Sequence, residues 1–199
     1  MYNREDDLKI GLNSSLIRIF SLPGKDYFTT LTVDQLVQLK RILSDINNVI
    51  TLRLSLSFAN WISAKFELSD DEIANIRNSI LGTKPNANGY DIDINAPINI
   101  TAEVKCNIPI NDGCKYGSSQ KKGIEKDLKG LKYGKKKAPL RDSAFRFLAL
   151  YDHRGVREAT VDLVKNIEPE LRNSVKFIEA ANIKNLDKDR IYIVFLSLE

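Results

Sequence analysis

Residues 86–107 read Asn86-Ala-Asn-Gly-Tyr-Asp-Ile-Asp-Ile-Asn-Ala-Pro-Ile-Asn-Ile-Thr-Ala-Glu-Val-Lys-Cys-Asn107, and their alternation is the strongest structural signal in the chain. Ile98, Ile100, Ala102, Val104 and Cys106 fall on one face, and Asn99, Thr101, Glu103, Lys105 and Asn107 on the other. Strict period two over such a length is the mark of a β-strand. The preceding segment alternates as well, with Tyr90, Ile92 and Ile94 expected on one side and Asp91, Asp93 and Asn95 on the other. Two such strands in succession form a hairpin. Their apolar faces must share one side of the sheet, because a slip of one residue would turn one of them to solvent. The tightest loop that meets this condition is Ala96–Ile98. It sets Asn95 opposite Asn99, Asp93 opposite Thr101 and Asp91 opposite Glu103.

Directly opposed strand residues have Cβ atoms about 4.5–5.5 Å apart. Two carboxylates at that distance repel unless a cation lies between them. Lys105 follows Glu103 by two residues on the same face. An acid pair with an adjacent lysine suits a hard divalent metal and a hydrolytic water. The competing reading is a solvated polar sheet face without chemistry.

The spacing Gly89-Tyr90-Asp91, with Glu103-Val104-Lys105 following, resembles the PD-(D/E)xK nuclease signature shared by most type II restriction endonucleases and many repair nucleases. The likeness covers residues 50–160, and Tyr90 stands where that family has its proline. It implies a restriction endonuclease-like α/β fold, a mixed central sheet flanked by helices, here with an N-terminal helical segment. It implies Mg²⁺, with Mn²⁺ as a substitute, held by Asp91, Glu103 and the Val104 carbonyl. Lys105 would then position or deprotonate the attacking water. The family often adds an acid from the preceding helix, for which Glu67 is the candidate and Glu72 the rival. It also places a glutamine or lysine on the helix after the hairpin. Gln120 resembles that residue, although a first-turn polar side chain facing solvent explains it equally well. Asp93 shares the face of Asp91 and would contribute through its local field.

The totals agree with an ordinary globular chain: 199 residues, 43% hydrophobic, 28% charged and a net charge of +4. No apolar run approaches the ~20 residues that span a bilayer. The charged start, Met1-Tyr-Asn-Arg-Glu-Asp-Asp7, lacks the apolar centre of a signal peptide, so a cytoplasmic location and no membrane partner are expected. Cys106 and Cys114 fit reduced thiols, and a single histidine, His153, argues against a zinc site. The charge is uneven. Lys115 to Arg141 holds ten Lys and Arg against Glu125 and Asp127, a local +8 that leaves −4 on the remainder. Such a block points to a polyanion, of which nucleic acid is the commonest, although a solvated helix-favouring surface explains it equally well. The resemblance makes double-stranded DNA the expected partner, met by Lys121, Lys122, Lys135, Lys136 and Lys137.

The flanking segments complete the outline. Leu16–Phe20 is apolar and reads as helix or strand, followed by a turn at Ser21-Leu-Pro-Gly24. Thr32 and Gln35 form the ends of a capping box that opens a helix, with a break expected at Asn47-Asn48. A second helix is expected over 50–66, with Leu52, Leu56, Ala59, Ile62, Ala64 and Phe66 inward. Ser69 and Glu72 cap a third helix, with Ile73, Ile76 and Ile80 inward and Gly82 as its C-terminal cap. Loops are expected over 84–89 and 107–117. Ser118 or Ser119 would cap a helix to Lys132, whose face Gln120, Ile124, Leu128 and Leu131 packs on the sheet. Residues 144–151 and 191–196 read as buried strands, 156–167 as an amphipathic helix and 169–181 as a further helix. The expected division is a helical segment over 1–48 and a nuclease core over 49–199.

The function expected from this reading is a Mg²⁺-dependent endodeoxyribonuclease, most like a type II restriction enzyme and, by family habit, a homodimer. A non-catalytic nucleic-acid-binding protein of the same fold, or a structure-specific repair nuclease, is the alternative.

Overall fold

The computed structural model describes residues 3–83, 89–109, 113–179 and 186–198. Two compact units result, Met1–Ile46 and Asn47–Glu199. Among the described residues no helix is long and apolar enough to cross a membrane.

The first unit is helical. Leu16–Phe20 belongs to α1 (Arg4–Phe20), capped at its start by the Asn3 side chain and stopped where Ser21 turns left-handed. The short α2 (Tyr27–Thr30) is tied to α1 by Asn13, whose side chain accepts the Tyr27 N–H at 2.9 Å and donates to Asp26 at 3.0 Å. The capping box at Thr32 and Gln35 forms as expected, with both reciprocal hydrogen bonds in place. It opens α3, which runs unbroken from Val33 to Lys65. The break expected at Asn47-Asn48 does not occur. Asparagine costs a helix only a few tenths of a kcal/mol, and no Gly or Pro interrupts residues 33–65.

The second unit is a five-stranded mixed sheet flanked by helices. Its strands are β1 (Ile92–Ile94), β2 (Ile100–Lys105), β3 (Phe145–Tyr151), β4 (Val175–Ile178) and β5 (Ile191–Leu196). They lie in the order β1-β2-β3-β5-β4. β1 is antiparallel to β2, and every other pairing is parallel. The hairpin register is the expected one, with Asp93 paired to Thr101 and Ile94 to Ile100. The strands end earlier than their alternation implies, at Ile100–Lys105 rather than 98–107. The other expected strands, β3 and β5, are central and, apart from the buried Arg146 of β3, apolar, as parallel strands covered on both faces tend to be.

One face of the sheet is covered by the second half of α3 and by α4 (Asp70–Gly82), the other by α5 (Ser118–Tyr133), α6 (Arg154–Asn166) and α7 (Pro169–Ser174). On α3 the buried stripe is Leu54, Phe58, Ala59 and Ile62, while Leu52 and Ala64 of the expected face are exposed. The stripe is set by Phe58, which meets Trp61 and Phe147 at ring-centroid distances of 5.6 and 5.4 Å. In α4, Ile76 and Ile80 are buried, and the helix ends at Gly82 with Thr83, not Gly82, as its C-cap. The cap of α5 is Gly117 rather than a serine, and Gln120 reaches back to its N–H at 3.0 Å. The helix expected over 169–181 stops at Ser174, and Val175–Ile178 becomes the edge strand β4; residues 180–181 lie outside those described. Val175, Phe177 and Ile178 favour a strand, and only pairing with β5 reveals it. Residues 84–88 and 110–112 of the two expected loops also lie outside the described residues.

Phe58→Ala removes a fully buried ring at the centre of this packing. It is expected to cost about 3–5 kcal/mol, read as a lower midpoint in urea unfolding. A loss under about 1 kcal/mol would mean that the α3 face does not form the core of this unit.

Candidate active site

β2 is buried on both faces, with Thr101 and Glu103 as enclosed as the apolar residues between them. The solvated-face reading therefore fails. Glu103 stands beside Leu148 of β3, with Ile193 of β5 next in the same row, on the side covered by α5. Only 1% of the residue is exposed. Lys105 lies two residues on, on the same side, and reaches Asp127 of α5 at 3.1 Å and Asp91 at 4.0 Å. Asp91 leaves the ladder before β1 begins, and its Oδ2 accepts the Val104 N–H at 2.8 Å. It thus sits at the open edge of β2 rather than upright beside Glu103. The same bend sends Tyr90 to the α5 side, against the expectation that it shares a face with Ile92 and Ile94. Its hydroxyl donates to the Gly130 carbonyl at 3.1 Å.

Two residues join this centre that the sequence did not place there, and one of them, Lys135, was expected to meet DNA but turns inward to Glu103. Asp127 is buried on α5 and pairs with Lys105. Lys135, from the loop after α5, places its Nζ 2.5 Å from Glu103 Oε1. Asp127 had a legible signal: it falls with Ile124, Leu128 and Leu131 on the i, i+3, i+4, i+7 face, where a carboxylate must have a buried partner. Lys135 had none, since its two neighbours are lysines in the same loop.

The electrostatics show a buried cluster of both signs, with the buried Arg146 guanidinium of β3 on the same sheet face. Three carboxylates, Asp91, Glu103 and Asp127, face two ammonium groups, Lys105 and Lys135. Burial, reinforced by the Asp91 charge, pushes the Glu103 carboxyl from 4.5 up to about 8 despite Lys135 beside it. Burial also raises Asp127 against the pull of Lys105. For Lys105 burial opposes the charged form, but Asp127 and Asp91 together hold it above the ordinary lysine value. Glu103 Oε1 and Asp127 Oδ2 are ion-paired yet lack hydrogen bonds of good geometry.

The remaining expected residues are scattered. Gln120 has both ends of its amide engaged, accepting from Gly117 and donating to the Ile108 carbonyl at 2.9 Å. Glu67 is exposed and left-handed at the end of α3, next to Phe66. Phe66 packs on Phe145, which pairs with Ile100 at the far end of β2 and on the opposite face from Glu103. Asp93 is paired with Arg141. Glu72 accepts the Ser69 N–H in its capping box. Lys121 pairs with Asp162 at 3.8 Å, while Lys122, Lys136 and Lys137 are exposed.

A cleft of about 910 Å³ opens beside the centre, lined by Asp91, Val104, Lys105 and Gln120 and, from α3 and α4, by Asn48, Thr51 and Ile80. Glu103 is not among the residues that line it. Among the described residues no group of three or more His, Cys, Asp or Glu is arranged to hold a metal unaided. A set of two carboxylates and a main-chain carbonyl is smaller, and its chemistry fits: all are hard oxygen donors. In an extended strand the N–H and C=O of one residue point to the same edge, so the Val104 carbonyl faces the side where Asp91 sits. Glu103 Oε1, buried without a well-formed hydrogen bond, is an oxygen of the kind a divalent ion takes up. Comparison with protein-family models, curated proteins and solved structures gave no match.

Because the folded carboxyl of Glu103 titrates above its unfolded value, the folded chain holds an extra proton between pH 4.5 and about 8. Stability without divalent ions should therefore fall as pH rises through that window. Glu103→Gln should flatten this dependence, gaining roughly 2–4 kcal/mol over wild type at pH 9 relative to pH 5 in chemical unfolding. Parallel pH profiles for the two proteins would contradict the assigned burial of Glu103.

Proposed function

We propose that this chain is a divalent-metal-dependent endonuclease acting on double-stranded DNA in the PD-(D/E)xK manner, most like a type II restriction enzyme. The observation that carries the reading is the convergence of Asp91, Glu103 and Lys105 at the open end of the β1–β2 hairpin, beside a cleft. The order hairpin, helix, parallel strand supports the restriction endonuclease-like fold as part of the same proposal.

Asp91, Glu103 and the Val104 carbonyl would hold Mg²⁺ or Mn²⁺, which supplies positive charge where the phosphate is attacked. Lys105 borders the cleft and keeps its proton through Asp127 and Asp91. It would orient the attacking water and offset charge developing on the phosphate. Lys122, Lys136 and Lys137, exposed on α5 and its following loop, would contact the DNA backbone, which gives affinity without sequence information. A homodimer belongs to the same resemblance.

The test is incubation with plasmid DNA and Mg²⁺, read on a gel. Discrete fragments are expected, with cleavage removed by EDTA. Asp91→Asn, Glu103→Gln and Lys105→Ala should each lower the rate by at least about 10³-fold and combine non-additively, since they act as one unit. DNA binding without cleavage by folded wild type would favour the non-catalytic alternative, and cutting confined to junctions the repair alternative. Undiminished cleavage by all three variants would end the nuclease reading.

A second measurement addresses the basic loop. Replacing Lys136 and Lys137 by Gln should weaken DNA binding and reduce the slope of log K against log salt by up to about 2. An unchanged slope would exclude this loop from the interface.

A further inference from the structure

Lys135 is held in a seat built from several elements. Gly134 ends α5 with φ of 86°, where a Cβ would lie 2.6 Å from the Leu140 main-chain nitrogen. The chain therefore turns sharply there, and Lys135 and Ala138 close the turn with two main-chain hydrogen bonds of 2.8 and 3.0 Å. The aliphatic stem of Lys135 crosses Gly130 of α5, where an added Cβ would meet Lys135 Cγ and Cε at 3.1 Å. The ammonium group lies 5.3 Å from the centre of the Tyr90 ring, which Gly130 itself fixes by accepting the hydroxyl. It donates to the Gly89 carbonyl at 2.8 Å and meets Glu103 Oε1 at 2.5 Å. The groups facing it across the centre are Asp91 and Asp127, which are acidic, and Lys105.

The seat brings a monovalent cation onto the carboxylate that the proposed metal set needs. We propose that Lys135 competes with the divalent ion for Glu103, so that a metal gains this carboxylate only as the Lys135 side chain withdraws. The inference rests on the metal reading of Asp91 and Glu103 given above. Two ammonium groups and a divalent ion around three carboxylates would leave the centre positively charged, so a metal approaching either oxygen of Glu103 is repelled by the ammonium group already 2.5 Å from its Oε1. Lys105 is bound chiefly by Asp127 at 3.1 Å, lies farther from Asp91 at 4.0 Å, and makes no ion pair with Glu103. Lys135 is the movable member because its backbone lies in a loop, whereas Lys105 stands on β2.

If the open state is a minor one, apparent metal affinity is reduced by the fraction of time it is populated. The experiment is Mn²⁺ binding to the full chain without DNA, followed by the electron paramagnetic resonance signal of the free ion. It compares wild type, Lys135→Met and Lys135→Gln, each with and without Glu103→Gln. Lys135→Gln keeps an N–H donor for Glu103 and Gly89, so it remains informative where Lys135→Met does not fold. Both single variants are expected to bind Mn²⁺ about tenfold more tightly than wild type, and Glu103→Gln is expected to erase the gain. Equal or weaker binding in Lys135→Gln, with Glu103→Gln still lowering affinity, overturns the competition and leaves the metal reading standing. Binding that Glu103→Gln leaves unaltered in every background overturns both.

Discussion

A carboxylate enclosed at the middle of a sheet governs this molecule. Glu103 has an apolar strand on one side and helix α5 above it, and it is almost without exposure. Burying an ion in such a place is costly unless cations and donors surround it. The neighbouring residues are arranged by that requirement: Lys135 reaches it from a loop, Lys105 rises beside it, and Asp127 in turn holds Lys105. The compensation is incomplete, and the carboxyl is driven up to about 8 by burial and by Asp91. A structure without a use for this group would be served better by an apolar residue.

The fold explains how such a centre can be assembled. β2 is paired on one edge for its whole length with parallel β3, but on the other edge only as far as Ile92. Beyond that point β1 bends away, and the Val104 N–H is taken by the Asp91 side chain instead of by a strand. The sheet is thus open just where Glu103 and Lys105 stand, and the cleft lies against that opening. The same bend turns Tyr90 toward α5, where it supports Gly130 and the stem of Lys135. One local departure from the ladder therefore supplies the edge, the acid and the seat of the second lysine.

The basic block between Lys115 and Arg141 has more than one use. Lys121, Lys129 and Lys132 meet acids of α6, the residue preceding α7 and α7 itself, at 3.8, 2.7 and 3.1 Å. Lys135 turns inward to Glu103. The exposed remainder, including Lys122, Lys126, Lys136 and Lys137, is what a polyanion would meet. A charge count along the chain overstates such a surface, because it cannot distinguish a lysine facing solvent from one that neutralises a neighbouring helix.

The sequence by itself determined the hairpin, its register, the two central strands, both capping boxes and the buried face of α5. These features arise from period and from contacts between near neighbours, and both are written locally. It also placed Asp91, Glu103 and Lys105 within one hairpin, because twelve residues and a short loop leave little freedom. Only the tertiary structure decided which charges surround them. Asp127 and Lys135 come from elements far along the chain, and their approach depends on how α5 crosses the sheet. Glu67 shows the reverse: near in the expected helix order, it is exposed just past the end of α3, in the helical layer that covers the sheet face opposite Glu103. The edge strand β4 was equally hidden, since four residues carry too little period to be read and become a strand only by pairing with β5. Local pattern gives each element its faces, whereas the partner of each face is chosen by long-range packing.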